Sequence, residues 1–166
     1  MIILVPSVHH TGTKTVFNDM LKGWTVINQQ DPNPPDDGKI RIHIDKAFLE
    51  DLDYWLKRAK TIVPLRHPRS VAIGWKRRWK PLTLLDWQWN WLKENVDPYN
   101  PYYLPVDQED RDSWLLKINK GLGTDFKTDW PVIGHSEAPL RELEEKDEYL
   151  VRSWMEDGFF ERFGYT

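Results

Sequence analysis

Apolar and polar positions along this chain follow two periods, one of strands and one of helices. Residues 1–5, Met-Ile-Ile-Leu-Val, form a short continuous apolar run that predicts a buried strand. Residues 13–22 put Val16, Phe17, Met20 and Leu21 on one side of a 3.6-residue turn, which predicts a helix ended by Gly23. Residues 24–28 predict a second short strand, and "DPNPPDDG" at 31–38 is a loop. "KIRIHI" at 39–44 alternates and predicts a third strand. Asp45 or Asp51 then caps a helix whose apolar face is Phe48, Leu49, Leu52, Trp55, Leu56 and Ala59. Residues 61–65 predict a fourth strand, with Pro64 limiting its ladder, and Pro68 opens a further helix. A Trp-rich helix at 82–95, a strand at 102–106 and a helix at 110–122 closed by Gly123 follow. Residues 128–139 read as irregular and 140–163 as a charged helical tail.

Strands alternating with helices predict an α/β fold: a single domain over residues 1–166, with a mainly parallel sheet flanked by helices. Such sheets bind ligands at the carboxyl ends of their strands. Composition narrows the chemistry. No apolar run is long enough to span a membrane, and the start of the chain lacks a secretory pattern, so the expected compartment is cytoplasmic. The absence of cysteine excludes disulfides, thiolate metal sites and cysteine nucleophiles. A net charge of -3 gives no general attraction to nucleic acid or anionic membrane. The 10 tryptophans fill the core of a small domain or line an aromatic cleft; most are expected in the core.

Three stretches carry candidate chemistry. "SVHHTGTKT" at 7–15 lies where the first strand hands over to a helix. There, free N–H groups, a glycine, hydroxyls and Lys14 suit a phosphate or phosphosulfate. The spacing is not G-x-x-x-x-G-K-[ST]. The same stretch also reads as an ordinary turn with good helix caps, and both readings stay open at this point. "RIHI" puts His43 at the end of the third strand, a position for a general base or for a merely structural histidine. "PLRHPRSVAIGWKRR" puts Arg66 at the end of the fourth strand, able to hold a second phosphate bidentately; the charges after it also read as a solvated helix face.

Taken together, these stretches resemble the P-loop sulfotransferases, which move a sulfuryl group from 3′-phosphoadenosine 5′-phosphosulfate (PAPS) to a hydroxyl or amine. His10-Thr11-Gly12-Thr13-Lys14-Thr15 is similar to the family's K-S-G-T-T-W loop. Arg66-His67-Pro68-Arg69-Ser70-Val71-Ala72-Ile73-Gly74-Trp75 is similar to its R-N-P-K-D-V-A-V-S-Y segment, and Arg41-Ile42-His43 to its K-T-H. The resemblance covers most of residues 1–126. It implies a P-loop nucleotide-binding fold, with PAPS as donor, adenosine 3′,5′-bisphosphate (PAP) as product, no metal, and a small-molecule or glycan acceptor. It implies that His43 is the catalytic base and that Lys14 steadies the leaving group. It implies that His10, Thr11, Gly12, Thr13, Lys14 and Thr15 hold the 5′-phosphosulfate, and Arg66 the 3′-phosphate. Two positions depart from the family pattern: His10 stands for the loop lysine and Gly74 for the serine that also binds the 3′-phosphate. Two alternatives are a non-catalytic module on the same fold, using its aromatic residues for a partner, and a P-loop nucleotide kinase. Against the kinase, the sequence shows no apolar run ending in an aspartate that would hold magnesium.

Overall fold

The opening apolar run folds as β1 (Ile2–Ser7), the middle strand of a parallel sheet. The structure, a computed structural model, describes residues 1–9, 11–78, 80–130 and 143–166. Among them, β2 (Thr25–Val26), β3 (Gly38–His43), β4 (Lys60–Leu65) and β5 (Tyr102–Pro105) complete the sheet. The order is β2-β3-β1-β4-β5 and every pair is parallel. The helices are α1 (Leu49–Leu56), α2 (Pro68–Lys76), α3 (Leu82–Trp91), α4 (Arg111–Leu122) and α5 (Glu145–Met155).

Both faces of the sheet are covered, so β1 is apolar at successive positions rather than alternately. Leu4 joins a core built with α1, α2, α3 and α5; Ile3 and Val5 join one built with α4 and the segment Thr15–Met20. The chain is therefore α/β with helices on both sides of one parallel sheet. Among the described residues no helix is long and apolar enough to cross a membrane.

The tryptophans mostly build the first core, as their size favours. Trp55, Trp75, Trp89 and Trp154 are buried there. Three of these indole N–H groups find acceptors: Trp55 donates to Gln29 O, Trp75 to Pro81 O, and Trp154 to Asp86 Oδ1 at 2.6 Å. Helix α5 also holds α2 through two ion pairs. Arg69 meets both oxygens of Glu148, and Lys76 Nζ lies 3.1 Å from the buried Asp147 carboxylate.

Three expectations need adjusting. The helix over 13–22 is π-helical from Thr15 to Met20, a bonding pattern with no residue signature. The tail over 140–163 is not one helix: α5 stops at Met155, Gly158 turns the chain at φ +79, and a 3₁₀ turn follows at Phe160–Phe163; residues 140–142 lie outside the described residues. Finally, Lys39 is buried, although alternation put it on a polar face. Its ammonium donates to Phe17 O at 2.6 Å and Leu21 O at 3.0 Å and lies over the Phe17 ring, so it closes the end of the π-helical segment. Burial lowers its pKa. Lys39→Met is expected to leave two carbonyls without a donor and to cost about 1–3 kcal/mol in urea unfolding. An unchanged midpoint would show that water replaces the ammonium there.

Candidate functional site

The chain leaves β1 toward β2 at one edge and leaves β4 toward β5 at the other, so a crevice opens between β1 and β4 at their carboxyl ends. The three candidate stretches sit at the carboxyl ends of β3, β1 and β4, which are neighbours in the sheet.

Residues 8, 9, 11 and 12 lie between β1 and the helical segment that follows it. Thr11 is buried and its hydroxyl donates to Val8 O at 2.7 Å, which closes the turn on itself. Its hydroxyl hydrogen is thereby spent on the loop. Gly12 has φ +90, a left-handed value, and a Cβ there would stand 2.6 Å from Val106 Cγ2. Both conditions require glycine. Thr15 N–H donates to Gly12 O at 3.0 Å and starts the helical turn. The N–H groups at such a start have no acceptor within the helix. Thr13 and Thr15 are buried, whereas Lys14 is exposed and has no ion-pair partner among the described residues. His10 lies outside the described residues.

His43 ends β3 directly across from Ser7 in the parallel register. Alternation places Lys39, Arg41 and His43 on one side of the strand. Arg41 Nη2 donates to His43 Nε2 at 2.9 Å. An arginine can only donate, so Nε2 is the unprotonated nitrogen and Nδ1 carries the hydrogen, which faces Ser7 Oγ at 3.3 Å. The His9 ring stacks on His43 with centroids 4.3 Å apart and planes within 2°, and meets Trp75 edge-on at 5.2 Å. Gln88 accepts from His9 N–H at 3.3 Å and so ties the loop to α3.

Burial holds the His43 pKa at about 4, below the ordinary 6.5; His9, Arg41 and Lys80 push the same way and Asp45 opposes them. The imidazole is thus neutral at pH 7. Its depressed pKa means the unfolded chain takes up the proton first. The stability His43 contributes is therefore complete above pH 6.5 and is lost as pH falls toward about 4. Arg41→Gln removes one of the cations, so the His43 titration followed by NMR is expected to move upward. A titration that stays put would show that Arg41 does not contribute to it.

Arg66 follows β4 directly, half-buried. Among the described residues it has no carboxylate partner within ion-pair distance, in contrast to Arg69 three residues on, which Glu148 occupies. Its backbone neighbour His67 donates N–H to Asp107 Oδ2 at 2.9 Å, and the Tyr165 hydroxyl donates to the other oxygen of Asp107. The imidazole of His67 caps α2 by accepting from Arg69 N–H at 3.1 Å. The segment is thus fixed from both sides, and among the described residues these contacts leave the Arg66 charge without a carboxylate. Ser70 stands half-buried in the first turn of α2 and Gly74 one turn on.

Sequence reasoning missed Ser7, Arg41 and His9 as neighbours of His43. Arg41 carried a usable signal, since positions two apart share a strand face. His9 did not, because its ring reaches His43 only through the parallel pairing of β1 and β3. Among the described residues no group of three or more His, Asp or Glu side chains converges as a metal site would need. Comparison of the chain with protein-family models, curated proteins and solved structures finds no match.

Proposed function

We propose that this protein is a PAPS-dependent sulfotransferase of P-loop nucleotide-binding type, acting on a hydroxyl or amine of a small-molecule or glycan acceptor. One observation carries the reading. The three stretches that resemble the sulfotransferase motifs, separate in sequence, lie at the carboxyl ends of three adjacent strands. The residues fit the donor: Gly12 keeps the turn free of a side chain, and Arg66 carries an unspent charge one strand away.

PAPS supplies the sulfuryl electrophile and a bisphosphate leaving group. The residues of the chain do the rest. The first-turn N–H groups and Lys14 take up the charge that grows on the 5′-phosphate oxygen, fixed in place before reaction. Arg66 grips the 3′-phosphate with its planar fork and so turns remote binding into orientation. His43 takes the acceptor proton at Nε2, the nitrogen that Arg41 now covers. Arg41 must therefore swing away. Anionic donor phosphates attract it, and both its departure and their arrival raise the His43 pKa toward a value useful for a base.

Arg66→Ala is expected to weaken PAP binding about 10–100-fold, the worth of a charge-assisted contact, and AMP binding less than about threefold. Titration calorimetry with both nucleotides measures it, and equal losses contradict the assignment. One observation favours a second reading, a binding domain without chemistry: Arg41 occupies the lone pair a base needs. PAP binding with no transfer by either the parent or Arg41→Ala selects that reading.

A further inference from the structure

A cleft of about 520 Å³, a size typical of small-molecule sites, is lined by His9, whose ring stands between it and His43. Its inner wall is continuous with the candidate base: His9 is the ring stacked on His43, and Ile44 and Asp45 follow His43 in the chain. The opposite wall is apolar and comes from Trp75, Trp87 and Leu84, the last 52% exposed. Two ammonium groups stand at these aromatic faces. Lys46 Nζ lies 5.5 Å from the Trp87 ring centroid and Lys80 Nζ 4.9 Å from that of Trp75. Among the described residues neither lysine is paired with a carboxylate. The one acid on the wall, Asp45, accepts from Ala47 N–H at 3.0 Å and caps the turn after β3. The cleft therefore combines flat apolar faces with a net positive rim.

We infer that this cleft binds the acceptor, and that the acceptor is a ring compound bearing both a hydroxyl and an anionic substituent. The ring lies against Trp75 and Trp87, the anion meets Lys46 and Lys80, and the hydroxyl points to His43. A neutral ring would leave both cations without a counter-charge; a charged chain without a ring would leave the indole faces wet. The inference rests on the sulfotransferase reading for the word acceptor, but the binding preference stands independently of it.

The test is direct binding to the full chain without donor. 4-Hydroxybenzoate is compared with neutral 4-hydroxybenzamide, and glucuronate with glucose, by calorimetry and by NMR of the Trp75 and Trp87 indole N–H signals. At least one anion is expected to bind about tenfold tighter than its neutral partner, as a charge-assisted contact implies, and to shift those two signals. The preference is expected to vanish in Lys46→Gln/Lys80→Gln and to persist in Lys46→Arg/Lys80→Arg. The benzoate pair responding assigns an aromatic ring; the sugar pair responding assigns a sugar. Equal binding of anion and neutral partner, a preference that survives the double glutamine variant, or no binding in either pair overturns the inference. PAP binding is measured on the same sample. PAP bound without any ring removes the cleft assignment and leaves the donor site; a ring bound without PAP removes the sulfotransferase reading and leaves the cleft.

Discussion

Under the proposed function, His43→Ala is expected to lower sulfuryl transfer by roughly 10²–10⁴-fold, the usual worth of a general base, and to leave PAP affinity within about threefold. The split is the informative part. A base acts on the acceptor proton in the transition state, so the loss belongs in kcat as well as kcat/KM, with donor binding untouched. His43 also contacts Ser7 and stacks on His9, so the alanine leaves a space against both. His43→Gln keeps a polar side chain there without a usable base. If the glutamine variant is as slow as alanine while both bind PAP, chemistry is lost and structure is not. If His43→Ala keeps its rate within a few-fold, His43 is not the base.

The second large effect is on stability. Trp154→Ala is expected to cost about 3–5 kcal/mol, the range for large-to-small aromatic changes in a core. Trp154 is 2% exposed, lies in the core between α5 and the sheet side, and donates to Asp86 on α3. Its removal opens a cavity and strips Asp86 of its partner. Because α5 also clamps α2 through Glu148 and Asp147, loosening it releases the segment that carries Arg66. PAP affinity is therefore expected to fall along with the unfolding midpoint. Trp154→Phe keeps most of the volume and costs about 1–3 kcal/mol, mainly for the lost hydrogen bond. An alanine variant as stable as the parent would mean that α5 is not the clamp described.

The order of strands and helices was legible because the two periods change cleanly along the chain, and the run of residues 2–5 marked a strand covered on both faces. The sheet order was not, since nothing local says that β3 rather than β2 lies beside β1. Lys39 shows the limit of alternation: in a sheet covered on both sides the polar-looking positions also face protein, and a lysine there is buried if carbonyls await it. The candidate site was legible as three separate motifs, each at the end of a strand. What escaped was the contact set around His43. Ser7 toward Nδ1 and the stacked His9 arise from pairing across strands, while Arg41 reaches Nε2 from two residues back on the same strand; burial first, then His9 and Arg41, gives the depressed pKa that no motif announces. The cleft walled by Trp75 and Trp87 was legible only as a Trp-rich stretch, because core and cleft tryptophans look alike in sequence.

The proposed function requires a donor site for a 3′-phosphorylated adenosine nucleotide between β1 and β4. Titration calorimetry of PAP against AMP and ATP, without metal, tests it most directly. PAP is expected to bind at least about tenfold tighter than AMP, through the contact at Arg66, and ATP to gain nothing comparable. Equal binding of PAP and AMP, or ATP bound tightest once magnesium is added, would contradict it.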